Sequence, residues 1–357
     1  NLDKTVKPAD DFYQFATGGW QKNHPLPAAY SRFGSFDQLA EDNNKRINDI
    51  LAELQKKSYK KGTIEQKLSD FYKQALDMES RNKAGISPVK PLLDEMEAAK
   101  SKADLEKIQL KYAAQGYGVS FGGGFGADEK NVTMNIFQLS QGGLTLGQKD
   151  YYVNNDEATV AIREAFKKYI ADMFKLYGFS AEQAEEKAQA VFQHETMLAL
   201  ISKSATELRN PQANYNKMTL KEFQSSYPNL HLEEMCNAEG IKSEFIQDMI
   251  VGQPAFMEGL DKITDAESAA TLKALMEWDV ITSSAAYLTD EIRECNFDFF
   301  GKTMSGRKED YPLWKRAVNQ VQSQMGEPLG RMYCKRYFPE SSKKIMQTLV
   351  KNLQISL

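Results

Sequence analysis

A mainly helical protein in two parts, the first carrying a small β-sheet and the second all-helical, is the fold class that three observations predict. Most of the 357 residues fall in segments with apolar side chains at helical spacing. One glycine-rich stretch, 116–139, breaks that spacing and then partly alternates β-branched and aromatic residues. A cluster of Ser, Thr, Asn and Pro at 204–211 interrupts the pattern in mid-chain. At roughly 150 residues per domain, this length suggests two domains.

The elements follow in order. In 64–76, Ile64, Leu68, Phe71, Tyr72 and Ala75 share a helical face, and Thr63 with Gln66 fits a capping box. Ser87-Pro88 predicts the next helix start, with Pro at the first position, where its missing N–H costs nothing. Ser101 with Asp104 opens a helix carrying Leu105, Ile108 and Tyr112. The glycines at 116, 118, 122, 123, 124 and 126 lead into Val132-Thr133-Met134-Asn135-Ile136-Phe137, which reads as a hairpin turning at 128–131. Segment 157–177 presents Ala161, Phe166, Tyr169, Ile170 and Phe174 on a broad apolar face, and Gly178 ends it. Ser180 with Gln183 opens a long helix toward Lys203, with Ala184, Ala188, Val191, Glu195 and Leu198 on one stripe. Further helices are predicted at 219–227, 241–250, 266–288, 311–325 and 340–355. The sheet therefore belongs to the first half, and the second half is expected to be all-helical.

Lys and Arg total 45 against 49 Asp and Glu, a net charge of −4, which argues against a nucleic-acid or anionic-membrane partner. Apolar residues make up 41% and charged residues 26%, a globular balance. No run approaches about 18 uninterrupted apolar residues, so no transmembrane helix is expected. There are three His (His24, His194, His231) and three Cys (Cys236, Cys295, Cys334), none at the spacing of a local zinc motif. One disulfide with a free thiol, and three buried thiols, both fit that cysteine count.

Candidate chemistry is sparse. Gly122-x-Gly124-x-Gly126 lacks the spacing and the following helix of a phosphate loop, so close strand packing explains it better. His194-Glu195 begins like a zinc-peptidase helix, but the second His it needs four residues on is Leu198. A partly exposed helical His beside a helical Glu is the simpler reading. Cys236 has His231 five residues away but no orienting acid. Arg32 and Asp37 lie in Tyr30-Ser31-Arg32-Phe33-Gly34-Ser35-Phe36-Asp37, just before a helix. There Asp37 serves as an N-cap, with Arg32 able to pair with it.

These residues also carry a family resemblance. Pro8-Ala9-Asp10-Asp11-Phe12-Tyr13 through Thr17-Gly18-Gly19-Trp20, and the segment from Pro25-Leu26-Pro27 to Asp37, resemble the opening of the neprilysin and endothelin-converting enzyme family of zinc metallopeptidases. Gly143-Leu144 to Lys149-Asp150-Tyr151-Tyr152, Arg209-Asn210-Pro211 to Thr219, Leu275-Met276-Glu277-Trp278, and Trp314-Lys315-Arg316 to Arg331 continue the match. The resemblance covers about half of such an enzyme. It lacks the family's His-Glu-x-x-His, downstream Glu ligand and Asn-Ala-Tyr/Phe-Tyr motif, and the end at Leu357 reads as an internal boundary of a longer protein.

The resemblance implies a chamber between two lobes. Residues 1–205 would be the N-terminal part of a thermolysin-like catalytic lobe, with the hairpin near 116–139. Residues 206–357 would be most of a helical cap lobe. Zinc would be bound by the absent C-terminal half, leaving neither catalytic residues nor metal ligands within 1–357, and the chain alone would be inactive. Oligopeptides would be the substrates. The segment 32–37 would reach the primed-side subsites: Arg32 would pair with a peptide carboxylate or carbonyl, Phe36 would line an apolar pocket, and Asp37 would sit beside them. A second Arg of some relatives is Ala40 here, which weakens a dipeptidyl-carboxypeptidase preference. A bacterial-type member without the mammalian disulfides, located outside the cytoplasm (periplasmic, secreted or lipid-anchored), is implied. The rival expectation is a non-catalytic helical peptide-binding or interaction module.

Overall fold

The computed structural model describes residues 2–113, 115 and 120–357. Helix starts follow local caps. Helix α1 (Phe12–Asn23) begins after Asp11, whose carboxylate accepts from Gln14 N at 2.9 Å. Helix α2 (Ser35–Leu54) follows Gly34, and α3 (Ile64–Leu76) follows Thr63, whose hydroxyl accepts from Gln66 N. The Gln66 side chain reaches back to Gly62 N, one residue beyond the predicted box. After α4 (Met78–Ala84), the predicted start at Ser87-Pro88 is corrected. The carbonyl of Ile86 accepts from both Val89 and Lys90, closing a turn around Pro88, and α5 (Lys90–Ala98) begins only then, with Pro91 in its first turn.

Helix α6 (Lys102–Ala113) opens where Ser101 and Asp104 cap each other's backbone N–H. Strands β1 (Phe121–Asp128) and β2 (Asn131–Gln141) form the expected hairpin; Gly116 and Gly118 lie outside the described residues. A Cβ on Gly122 would meet Ser140 Oγ at 2.7 Å and one on Gly126 would meet Gln138 Nε2 at 3.0 Å, so these two serve close packing, whereas Gly124 faces open space. Next come α7 (Asp150–Val153), α8 (Glu157–Leu176) and α9 (Ala181–Ile201). Gly178, at φ +94°, provides the left-handed turn between the last two, and Ser180 with Gln183 forms the predicted capping box.

Short elements follow: β3 (Lys217–Thr219), α10 (Leu220–Ser226), α11 (Leu232–Ala238) and β4 (Asp248–Val251). The helix predicted at 241–250 is thus replaced by a 3₁₀ turn and a strand. Met249, Ile250 and Val251 are all buried, and so short an apolar run has no period to tell strand from helix. Helix α12 (Pro254–Ala266) is not predicted; the helix predicted at 266–288 is α13 (Ala269–Ser284), which starts at Ser268, whose hydroxyl caps Thr271 N. Helix α14 (Asp290–Phe297) follows. Helix α15 (Leu313–Tyr337) runs past its predicted end at 325, where Met325 (φ −133°, ψ 34°) kinks it. Pro328 sits in the first turn after that kink, where an N–H has no helical partner to lose. Helix α16 (Glu340–Ser356) follows, with Ile345, Leu349 and Leu353 on one exposed stripe and no residue buried.

The fold is mainly helical with one small sheet, in the order β1-β2-β4-β3. The hairpin pairs Phe125 with Phe137, and β4 joins β2 in parallel, Phe137 opposite Met249. The stretch 206–357, expected to be all-helical, therefore supplies two of the four strands. The described residues form two compact units, Asn1–Ser80 with Phe300–Leu357, and Arg81–Phe299. The expected division at 205/206 lies inside the second unit, because β4 is hydrogen-bonded to β2 across it. In that unit Phe137, Leu198, Phe223, Met249 and Phe256 form one core. In the first unit, Leu51 of α2, Leu68 and Tyr72 of α3, and Val318 and Val321 of α15 form another. Cys236 is buried, Cys295 half-buried and Cys334 exposed; all three thiols are free.

Candidate functional site

The segment expected to contact substrate lies in the first unit on a braced loop. Arg307 Nε donates to Ala29 O at 2.9 Å, and the backbone N–H of Lys308 donates to Ala28 O at 2.9 Å. Tyr30 packs edge-on against Phe33 (5.1 Å) and Tyr311 (5.7 Å), and Phe33 stacks near Trp20 at 6.3 Å. Beneath this layer, Lys315 of α15 donates to Tyr30 Oη at 2.6 Å and to the Glu41 carboxylate, and lies 3.7 Å from the Tyr311 ring centre. Tyr30 donates to the same carboxylate. Burial alone would raise the Glu41 pKa, but the hydrogen bonds from Lys315 and Tyr30 outweigh it and hold the group below its ordinary value. Burial first, and Glu41 second, push the Tyr30 phenol well up. Glu41 therefore stays ionised and Tyr30 neutral.

On this platform the three predicted residues take different roles. Asp37 is the third residue of α2, and its carboxylate accepts from Gly34 N at 2.8 Å. It therefore fixes the helix start from inside the first turn, with Gly34 as the N-cap. Phe36 is 85% exposed. Arg32 is exposed and has no hydrogen bond or ion pair among the described residues, so the expected pairing with Asp37 is absent. Phe36 and Asp37 are brought together on one turn; Arg32 stands apart in the irregular segment before α2. The sequence reading missed Lys315, Glu41 and Tyr311. The signal available was Lys315 itself, which falls next to Trp314 in an otherwise amphipathic helix.

The His194-Glu195 pair lies in the second unit. Both residues are buried, at 4% and 3% exposure, which corrects the expectation of a partly exposed histidine. His194 Nδ1 is held against the Glu267 carboxylate. Glu195 accepts from Thr145 N (3.1 Å), Thr145 Oγ1 (2.6 Å) and the Tyr152 hydroxyl, while Trp278 Nε1 donates to Thr145 Oγ1 at 3.2 Å. Burial raises the Glu195 pKa against the pull of these donors. The stripe that made α9 amphipathic carries both groups inward. The Cys236 thiol is pushed up to about 11 by burial and by Glu239, so it is no thiolate nucleophile with His231.

The family model for peptidase family M13 matches residues 8–357. The chain belongs to peptidase family M13. It is 25% identical over 359 residues to human endothelin-converting enzyme 1, covering 98% of this chain and 46% of that protein. It is 25% identical to Neprilysin-3 of Drosophila melanogaster, covering 99% and 47%. The inhibitor complex of the Mycobacterium tuberculosis zinc metalloprotease ZMP1 superposes with a TM-score of 0.91 at 26% identity, over 99% of this chain and 53% of that one. PepO from Lactobacillus rhamnosis shares the fold, with a TM-score of 0.80 at 20% identity. This M13 chain spans about half the length of the curated relatives it matches.

Among the described residues, no group of three or more His, Cys, Asp or Glu could hold a metal ion. The nearest sequence match to a zinc motif does not fit one either. Glu195 is occupied by Thr145 and Tyr152, and His194 is engaged by Glu267.

Proposed function

We propose that this chain is the N-terminal half of a neprilysin-like zinc metalloendopeptidase that cleaves oligopeptides outside the cytoplasm. In this reading it builds part of the chamber and of the primed-side subsites. Zinc and the catalytic groups belong to a C-terminal half, and the chain alone is inactive. The carrying observation is the M13 family match across residues 8–357, covering only about half of each relative.

Two features support the reading. The exposed apolar stripe of α16 suits a helix that packs against another part of a longer protein. Arg32, exposed and without a hydrogen bond or ion pair among the described residues, suits a group reserved for an external anion.

In this reading each residue has its own role. Arg32 forms charge-assisted hydrogen bonds with a peptide's terminal carboxylate or a carbonyl. Phe36 offers an apolar face to a substrate side chain. Asp37 is a positioning residue, because its bond to Gly34 sets the first turn of α2 and thus the direction of Phe36.

The test compares this chain with a version extended to the relatives' length, on a fluorogenic peptide with zinc measured in both. Activity and stoichiometric zinc only in the longer protein are expected. Peptidase activity with stoichiometric zinc in the short chain would overturn the division of labour. Absence of activity from the long one would overturn the peptidase reading.

A further inference from the structure

The tip of the β1–β2 hairpin carries a chemistry that the peptidase reading leaves unused. Asn131-Val132-Thr133 is the one Asn-x-Ser/Thr triplet in the 357 residues, and its middle residue is not Pro. That triplet is the acceptor pattern for N-linked oligosaccharides, and it takes effect only on an accessible surface. Asn131, Val132 and Thr133 are all exposed, Val132 at 77%.

The turn holds the triplet in a fixed place. Asp128 opposes Asn131 across the hairpin, next to a shift in the register after Ala127. The Asp128 carboxylate accepts from Lys130 N and from the Tyr215 hydroxyl, both at 2.9 Å, and the Lys130 ammonium lies 4.2 Å from the centre of the Tyr215 ring. Thr133 Oγ1 donates to Asn131 Oδ1 at 2.8 Å. That bond uses the amide oxygen and leaves Nδ2 without a partner among the described residues. The nitrogen that reacts is therefore free, and the hydroxyl that the pattern requires is beside it. Glu129, two positions earlier, is exposed as well, so the turn presents Glu-x-Asn-x-Thr as one continuous acceptor.

The surroundings give a modification here a physical use. Among the described residues β1 is an edge of the sheet, and from Phe121 to Asp128 it holds neither Lys nor Pro. Val132, Met134 and Phe125 on the hairpin are at least half exposed. An open edge flanked by apolar side chains is a template for pairing with another chain. A hydrophilic branch on Asn131, the partner of the last residue of β1, stands at the end of that edge.

We propose that Asn131 is the attachment site of an N-linked oligosaccharide, which shields the open edge of β1 and the apolar hairpin tip. This rests on the extracytoplasmic placement proposed above, where such transfer takes place. The co-substrate is an oligosaccharide joined at its anomeric carbon to a lipid pyrophosphate. Asn131 Nδ2 attacks that carbon, forming the carbon–nitrogen bond. The carbon–oxygen bond breaks, and its electron pair leaves with the lipid pyrophosphate. One Nδ2 proton passes to a base of the transferase, and nothing is oxidised or reduced.

Two experiments test it. In the first, the folded chain is incubated with a purified bacterial oligosaccharyltransferase and its lipid-linked oligosaccharide, and the product is read by intact mass and by the tryptic peptide 131–149. Transfer is expected to the wild type and to Thr133→Ser, with at least about a tenfold loss in Thr133→Ala and no transfer to Asn131→Gln. Absence of transfer to the wild type, or transfer undiminished in Thr133→Ala, would overturn the site. Heated side by side, the glycosylated chain should scatter less light than the unmodified one; equal scattering would overturn the shielding role. In the second, the full-length protein is recovered from the cells that make it, located by fractionation, and its peptide 131–149 analysed. A sugar mass on Asn131 is expected. An unmodified peptide from extracytoplasmic protein would overturn this site alone, and one from cytoplasmic protein would overturn it together with the placement.

Discussion

The His194-Glu195 region and the segment 30–37 exchange appearances between sequence and structure. The first resembles a catalytic motif but is sunk in the second unit, with Glu195 accepting three hydrogen bonds and His194 locked to Glu267. The second reads as an ordinary helix lead-in, yet it leaves Arg32 and Phe36 exposed, while nearby in sequence Tyr30 and Glu41 are bonded to Lys315. Glu195 at the first site is held by three donors, whereas Arg32 at the second has no hydrogen bond or ion pair among the described residues. Partner count, more than residue type, separates a structural polar group from a binding one.

That contrast can be broken at four places. The largest effect is expected from Glu195→Ala, which strands the Tyr152 hydroxyl and the Thr145 donors in the core. A loss of about 3 kcal/mol is expected in urea denaturation. A loss no larger than that of a surface substitution would show that the network is not structural.

Lys315→Ala comes next. It leaves the Glu41 carboxylate half-buried beside Tyr30 without its cation, and about 2 kcal/mol should be lost. The loss should shrink in acid as Glu41 protonates, because a depressed carboxylate contributes stability above its unfolded pKa that disappears as the pH falls.

The third concerns Glu277 of α13, fully buried between Lys187 of α9 (2.6 Å) and Glu97 of α5, with Lys273 on the far side of Glu97. Burial, and then the neighbouring Glu97, push its carboxyl up to about 8. A folded-state pKa above the unfolded one means that stability is greatest below about pH 4.5 and is lost as the pH rises through 8. Between pH 6 and pH 9 this group should cost the wild type about 2–3 kcal/mol. Glu277→Gln should flatten that slope; an unchanged slope would assign it to other groups.

The smallest structural effect is expected from Arg32→Ala. Its Tm should match the wild type, while in the full-length enzyme KM should rise for peptides with a free carboxyl terminus and stay constant for amidated ones. Equal kinetics on both substrates would remove Arg32 from the site.

Much of the helical framework was legible because caps are local. Thr63, Ser101 and Ser180 each mark a helix start that needs only the next three residues to form. What sequence reading missed depends on distant partners. Met249-Ile250-Val251 is a strand because β2 and Asn216 stand ready to pair with it, not because of its own pattern. Lys315 is a buried cation because Glu41 lies 274 positions away in the chain and beside it in space. The candidate site was legible only through resemblance: composition and spacing would have left Arg32 a surface residue.

The first unit is discontinuous, its early helices α2 and α3 sharing a core with the late α15. On the ribosome this imposes an order. Residues Arg81–Phe299 carry all four strands and their own core, so they can fold as soon as they emerge. Meanwhile Leu51, Leu68 and Tyr72 wait for Val318 and Val321. At about 5–20 residues per second, that interval lasts on the order of 10–50 s, during which the early helices α2 and α3 are the stretch most in need of a chaperone.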